Sequence, residues 1–277
     1  MRWTRGGVSK NIEDRRGQRM GLGGGLGIGG GLLGLILALI FGGDILSDGS
    51  TTTTAGGDVP VQESADERTL VEFVSWVLDD VQTQWRTILP RYGDQYRDAR
   101  LVLFREATQS ACGVGQSAMG PFYCPLDEKV YLDLAFFDEL HRRFGASGDF
   151  AQAYVIAHEI GHHVQHILGV DAQVRERQDR RPAEANELSV RLELQADCFA
   201  GVWGNATSHR DLLDPGDVEE ALGAAAAIGD DRIQQQTTGR VNQESFTHGS
   251  SQDRVRWFRR GLESGNPESC DTFTGAR

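Results

Sequence analysis

The chain has 277 residues, of which 39% are hydrophobic and 25% are charged, enough for one sizeable folded domain or two small ones. Its net charge of −12 is unevenly spread: residues 1–43 carry six Lys or Arg and two acidic residues, which leaves 22 basic and 38 acidic residues in 44–277. An acidic body of this kind repels phosphate backbones, so the composition excludes a nucleic acid as a partner.

A long apolar segment at residues 21–43 contains no charged side chain and is rich in glycine. As a helix it would span roughly 30 Å, about the thickness of a bilayer's hydrocarbon core. Basic residues precede it and acidic residues follow it, so the positive-inside rule predicts a single-pass protein of the cell membrane with a cytoplasmic N-terminus. The predicted organisation is a basic cytoplasmic tail at 1–20, a transmembrane helix at 21–43, a flexible linker at 44–66 and an extracytoplasmic domain at 67–277. Repeated G-x-x-x-G spacings in the apolar segment leave the oligomeric state open.

The rest of the chain alternates helical patterns with short strand patterns. Apolar residues at three- and four-residue steps predict helices, and apolar residues at every second position predict strands. The helices are expected near 66–89, 135–144, 149–168, 184–205, 215–228 and 254–262, and the strands at 99–105 and 129–134. This order predicts an α+β domain that is mostly helical with a small sheet.

The four cysteines, Cys112, Cys124, Cys198 and Cys270, show no C-x-x-C spacing, which argues against a thioredoxin-type site or a zinc ribbon. In a domain outside the cytoplasm an even number of cysteines favours two disulfides. A local bridge between Cys112 and Cys124 is preferred, which would leave Cys198 to pair with Cys270. Four buried free thiols are the alternative.

The segment HEIGH at 158–162 carries the clearest chemical signal. His158 and His162 lie four residues apart on a predicted helix, so both imidazoles can face one metal ion. Glu159, next to the first histidine, is placed to take a proton from a metal-bound water. The alternative is a surface helix that contains this H-E-x-x-H spacing by chance and has no metal site.

A catalytic zinc ion needs a third protein ligand and one open position for water. A metzincin has a histidine six residues after the second ligand, where this chain has Leu168. A later predicted helix instead supplies Glu193, and Asp197 one turn further on can accept the remaining ring N–H of a ligand histidine. Two histidines and a carboxylate are a zinc ligand set, so we expect one Zn²⁺ per chain, held by His158, His162 and Glu193.

Further site candidates come from the segment THGSSQDR at 247–254 and from the second predicted strand. His248 is a candidate catalytic residue that would stabilise an oxyanion, and Arg254 is a candidate substrate-binding residue. An ordinary helix-entry turn with a salt-bridged arginine explains the same segment. The strand at 129–134, with Tyr131 as a substrate-binding residue, is the candidate edge along which an extended peptide would lie.

The segments HEIGHHVQHILG, ELQADCFAGVW and THGSSQDRVRWF together resemble the bacterial neutral zinc metallopeptidase family, whose members are membrane-anchored. The resemblance implies a zincin-like fold, with His158, His162 and Glu193 as zinc ligands and Glu159 as the catalytic residue. The same motifs are similar to those of larger membrane peptidases of the CAAX-protease type, which have a proline at the position of Gly249.

The sequence therefore predicts a membrane-anchored, zinc-dependent endopeptidase that hydrolyses peptide bonds through a zinc-bound water activated by Glu159. Its partners would be a peptide or protein substrate and the membrane. The alternative is a membrane-anchored scaffold or binding protein whose zinc site is structural or vestigial.

Overall fold

Eight α-helices and six short strands form in residues 1–18 and 61–274, the part of the chain that this computed structural model describes. The helices are α1 (Ala65–Ile88), α2 (Ala135–Phe144), α3 (Asp149–Ile167), α4 (Val170–Arg180), α5 (Ala185–Ser208), α6 (Asp217–Ala227), α7 (Asp230–Thr238) and α8 (Ser251–Ser264). The strands are β1 (Ile12–Asp14), β2 (Arg100–Phe104), β3 (Ala107–Ser110), β4 (Gly113–Gln116), β5 (Phe122–Cys124) and β6 (Lys129–Asp133). The mostly helical domain with a small sheet is as predicted.

The helices form the core of the domain, and glycines allow two of them to cross closely. A Cβ atom added to Gly201 of α5 would lie 2.0 Å from the carbonyl oxygen of Phe258 in α8. One added to Gly261 of α8 would lie 1.9 Å from the carbonyl oxygen of Cys198 in α5. Because real Cβ atoms do not approach backbone atoms so closely, only glycine permits this crossing, and α8 is held against the helix that carries Glu193.

The main sheet has the strand order β1-β2-β6-β5, with β1, β2 and β6 parallel and β5 antiparallel to its neighbour. Strand β6 pairs along its whole length with β2 and through Lys129–Tyr131 with β5. The expectation that the strand at 129–134 is an edge for substrate is therefore wrong. The outer strand on this side is β5, while β3 and β4 form a separate antiparallel hairpin.

The N-terminal residues belong to the same folded unit as the helices. Ile12–Asp14 pairs in register with Leu101–Leu103 of β2, and the backbone N–H of Arg15 donates to the carbonyl oxygen of Leu103 at 2.8 Å. The buried guanidinium of Arg16 is ion-paired with Glu63 at 3.0 Å and with Glu67 at 2.8 Å. Residues 1–18 and the start of the range 61–274 therefore lie side by side in one folded unit.

These contacts correct the predicted membrane topology and, with it, the predicted localisation and the transmembrane part of the fold class. A strand of the domain's own sheet cannot lie in the cytoplasm while the rest of that sheet lies outside the membrane. The predicted span at 21–43 lies outside the described residues. Within 1–18 and 61–274 no helix is both long enough and apolar enough to cross a bilayer.

Two disulfides join the four cysteines in the pairing that the sequence favours. Cys112 and Cys124 connect the turn between β3 and β4 to the outer strand β5, and their sulfur atoms are 1.99 Å apart. Cys198 and Cys270 connect α5 to the C-terminal segment across a separation of 72 residues. The alternative of free thiols is excluded, because no cysteine is unpaired and all four lie in the described part of the chain.

Candidate metal centre

Helix α3 brings the two histidines of the HEIGH segment to one point. Its apolar face is fully buried, which fixes the helix in the core: Ala153, Ile156, Ala157, Ile160 and Val164 are each at most 1% exposed. His158 and His162 lie one turn apart, with ring centroids 4.8 Å apart and ring planes nearly perpendicular. The Nε2 atoms of both rings face Glu193 of the neighbouring helix α5.

The third member of the cluster is Glu193 of α5. Its Oε2 atom lies 3.2 Å from Nε2 of His158, and its Oε1 atom lies 3.4 Å from Nε2 of His162. The three residues each offer one ligand atom within 4.8 Å of the others. The structure thus brings together the three residues that are predicted from the sequence to be metal ligands.

Asp197 holds His158 in the orientation that metal binding requires. Its Oδ1 atom lies 2.8 Å from Nδ1 of His158, so Nδ1 donates to Asp197 and Nε2 is the ring nitrogen that faces Glu193. Burial lowers the pKa of His158, but the charges and hydrogen bonds of Asp197 and Glu193 outweigh it and raise that pKa to about 9. The pocket therefore favours a positive charge at this point.

Arg254 is turned inward rather than toward a substrate. It is 2% exposed, and it donates from Nε to Oδ2 of Asp197 at 2.8 Å and from Nη2 to Oδ1 at 2.9 Å. The hydroxyl of Tyr154 donates to the same carboxylate at 2.5 Å. Burial raises the pKa of Asp197, but Arg254 and His158 outweigh it and hold that pKa below its usual value. Arg254 thus keeps the partner of His158 ionised.

Glu159 lies beside the cluster without taking part in it. Its side chain is buried, and among residues 1–18 and 61–274 no group forms a hydrogen bond or an ion pair with its carboxylate. Burial raises the pKa of Glu159, while the neighbouring His162 and His158 act in the opposite direction. A carboxylate that is unengaged and desolvated is suited to accept a proton.

Gln165, which no sequence motif marks as a site residue, orients the second histidine. Its Oε1 atom lies 2.9 Å from Nδ1 of His162, and its side chain is fully buried. The sequence feature that could have indicated this role is a polar residue on the predicted buried face of α3, three positions after His162. His163 makes no contact of this kind, because it is bonded to the hydroxyl of Tyr123 and to the carbonyl oxygen of Arg97.

His248 stands on a loop that Asp230 holds against the cluster. Oδ2 of Asp230 accepts the backbone N–H groups of Thr247, His248 and Gly249 at 2.7, 2.6 and 3.0 Å. Burial lowers the pKa of His248, but Asp230 and the charge of Glu193 outweigh it and raise that pKa. Gly249 has a φ angle of +91°, which proline cannot adopt, so a proline at this position would not fit this loop.

The structure does not bring Tyr131 to the cluster. Its side chain has no exposed surface, its hydroxyl donates to Asp127 at 2.7 Å, and its ring stacks on Phe122 with centroids 4.8 Å apart. These contacts belong to the sheet and its turn. No contact in the described residues supports a role for Tyr131 in substrate binding.

Comparison with known proteins agrees with this geometry. A family model described as "Putative neutral zinc metallopeptidase" matches residues 1–273. The uncharacterized protein YpfJ of Escherichia coli (strain K12) is 47% identical over 289 aligned positions, which cover 99% of each chain. The uncharacterized protein Rv2575 of Mycobacterium tuberculosis is 45% identical over 209 positions, which cover 72% of this chain and 69% of the relative. No solved structure matches the chain.

Proposed function

This chain belongs to the neutral zinc metallopeptidase family, and we propose that it is a zinc-dependent endopeptidase. The observation that carries the proposal is the convergence of Nε2 of His158, Nε2 of His162 and the carboxylate of Glu193. We further propose that these atoms hold one zinc ion per chain.

The chemistry of the donor set fits zinc. Nδ1 of each histidine is hydrogen-bonded to an acceptor, Asp197 or Gln165, so that both Nε2 atoms are available as neutral ligands. Two imidazoles and one carboxylate are three protein ligands, the number found in catalytic rather than structural zinc sites. When bound, zinc would polarise the substrate carbonyl and lower the pKa of a water to about 7.

The chain's own residues would move the proton. Glu159 is the carboxylate nearest in sequence to the ligands that has no partner in the described residues. It would accept a proton from the attacking water and return it to the leaving amine nitrogen. Its burial excludes competing bulk water, which favours the transfer.

His248 would face the negative charge that develops on the substrate carbonyl oxygen. Asp230 fixes the loop and lies 3.3 Å from Nδ1 of this histidine, so the opposite ring nitrogen is left for the substrate. An imidazole held in position before the reaction costs no reorganisation during it. The raised pKa of His248 favours the cationic form that such a role requires.

An extended substrate would lie along β5, the outer strand of the sheet. This strand is attached to α3 through the hydroxyl of Tyr123, which lies 2.9 Å from Nδ1 of His163. Its inner side pairs with β6, and within residues 1–18 and 61–274 no strand pairs with its outer side. Backbone pairing at such an edge binds peptides with little dependence on sequence.

The test uses the full chain, its zinc content and the cleavage of an unfolded protein such as casein. Glu159→Gln should keep one zinc ion and lose activity by roughly 10²- to 10⁴-fold, because only the proton acceptor is removed. His158→Ala should lose both zinc and activity. The matched control is Glu176→Gln on the surface of α4, where Arg180 is the only partner of the carboxylate among the described residues.

Two results would decide against the proposal. Wild-type activity in Glu159→Gln would exclude the assigned base. A purified chain that holds zinc but cleaves no substrate, with or without a chelator, would favour the structural or vestigial site of a scaffold protein.

A further inference from the structure

We propose that Gln165 and Gln195 form a relay of amide hydrogen bonds that positions His162 as a metal ligand and connects it to the C-terminal segment at Cys270. This inference rests on the proposed zinc site and adds two positioning residues to it. Both glutamines are buried, and they lie on the two different helices that carry the metal ligands.

The orientation of Gln165 follows from its partners. Its Nε2 atom lies 2.7 Å from the backbone carbonyl oxygen of Leu192, which can only accept a hydrogen bond. The amide nitrogen must therefore face Leu192, and the amide oxygen faces Nδ1 of His162 at 2.9 Å. An amide oxygen can only accept, so Nδ1 of His162 carries the proton and Nε2 is left as the metal-binding atom.

Gln195 continues the relay in the same direction. Its Oε1 atom accepts from Nε2 of Gln165 at 3.1 Å, and its own Nε2 donates to the carbonyl oxygen of Cys270 at 3.1 Å. Because the carbonyl oxygen of Cys270 can only accept, the orientation of the Gln195 amide is determined in the same way as that of Gln165. The disulfide between Cys198 and Cys270 attaches the end of the relay to α5, one turn beyond Glu193 and Gln195.

The two histidines are therefore positioned by different chemistry. His158 is held by the charged carboxylate of Asp197, which Arg254 neutralises. His162 is held by neutral amides that end on a backbone carbonyl, so its orientation requires no buried charge. A site with one carboxylate partner and one amide partner fixes both rings without adding a further buried charge that would itself need compensation.

The test compares Gln165→Met and Gln195→Met with Gln82→Met in the full chain. Methionine has a similar length but neither donates nor accepts as an amide does. Gln82 is a suitable control because it is also fully buried, and it bonds the backbone N–H of Ala99 and the hydroxyl of Tyr96 rather than a metal ligand. Zinc affinity is measured by competition with a chelator, which requires no peptidase activity.

We expect Gln165→Met to weaken zinc binding by roughly 10- to 100-fold, Gln195→Met by a smaller factor, and Gln82→Met to leave the zinc dissociation constant unchanged. In the zinc-loaded protein, ¹⁵N NMR should show the Nδ1–H proton of His162 exchanging faster with water in Gln165→Met than in the wild type. If Gln165→Met does not fold, the same two measurements on Gln195→Met decide the matter.

An equal loss of zinc affinity in Gln165→Met and Gln82→Met would overturn the relay, since the effect would then be a general loss of packing. Unchanged zinc affinity and Nδ1–H exchange in Gln165→Met would overturn it as well. A wild-type chain that binds no zinc would instead overturn the proposed metal site, and the two failures are thereby distinguished.

Discussion

The loop that carries His248 depends on one carboxylate. Asp230 satisfies three consecutive backbone N–H groups with a single oxygen atom, and its second oxygen lies 3.3 Å from the imidazole. Thr247 and Gly249 are buried, so these donors have no access to water. Asp230, which lies seventeen positions before Thr247 in the sequence, therefore sets the position of His248.

We predict that His248→Ala and Asp230→Asn both lower kcat/KM by roughly 10²-fold while the zinc content stays at one per chain, because each weakens the stabilisation of the developing oxyanion. Peptide cleavage and metal analysis of the same preparations provide the measurement. Asp231→Asn is the matched control, because Asp231 bonds the backbone and hydroxyl of Ser251 at the start of α8 and does not touch His248. Full activity in His248→Ala would leave this residue without a catalytic role.

The metal cluster and its partner Asp197 could be predicted from the sequence, but the other supporting residues could not. The spacings within HEIGH and ELQAD place side chains on one face of a helix, and this depends only on local geometry. The partners Gln165, Asp230 and Tyr154 are defined by which distant groups they meet, and no short segment encodes that information. For the same reason the sequence did not decide between a substrate-binding role for Arg254 and the salt bridge with Asp197 that the structure shows.

At the scale of helices, the distance between α3 and α5 sets the distance between the histidines and Glu193. Gly161 lies between the two ligand histidines, and a Cβ atom there would lie 2.9 Å from the carbonyl oxygen and 3.1 Å from the Cα atom of Ala196. Because both neighbours are backbone atoms, they can make room only if the helices separate. This glycine therefore permits the approach on which the cluster depends.

We predict that Gly161→Ala weakens zinc binding and lowers the free energy of unfolding by about 1–3 kcal/mol, since overpacking forces the two helices apart. Gly223→Ala is the control: this glycine of α6 has no atom within 4 Å of an added Cβ, so alanine should be neutral or slightly stabilising there. Thermal unfolding and chelator competition test both variants. An unchanged zinc dissociation constant in Gly161→Ala would show that the helices tolerate the methyl group without moving the ligands.

Most amphipathic helices were predictable, whereas the polar helices and the shortest strands were not. The observed helices α2 and α3 match the predicted 135–144 and 149–168 closely, because a buried stripe imposes a clear period. Helix α4 buries little besides Val174 and Asp171, so its sequence carries almost no apolar period. Strand β1 has only three residues, and it is a strand because the edge of β2 offers it backbone partners.

For the whole molecule, the basic N-terminal residues act as partners of the acidic domain rather than as a cytoplasmic topology signal. Ion pairs join Arg2 to Asp214, Arg5 to Glu72, Arg15 to Glu13, and Arg16 to Asp14, Glu63 and Glu67. Most of these arginines are partly exposed and contribute little each, but the Arg16 side chain is 4% exposed and bonds three carboxylates. A basic segment next to an acidic one can therefore indicate either a membrane topology or ion pairs within one domain. Only the tertiary contacts distinguish the two.

We predict that residues 1–18 are required for the stability of the domain. A fragment of residues 61–277 loses β1, exposes the edge of β2 and leaves Glu63 and Glu67 without the buried cation of Arg16. Its melting temperature should fall by about 5 °C or more, which corresponds to a few kcal/mol in a domain of this size. The control replaces residues 19–60 with a flexible linker and keeps 1–18, so that every contact described here remains.

The same fragment allows the contacts of β1 to be restored from outside. Added peptide 1–18 should raise the melting temperature of fragment 61–277 in proportion to the logarithm of its concentration, because it binds only the folded domain. A peptide with Arg16→Gln should do so less well, since its uncharged amide cannot compensate Asp14, Glu63 and Glu67. Equal melting temperatures for the full chain and the fragment, with no response to the peptide, would show that strand β1 contributes no stability to the sheet.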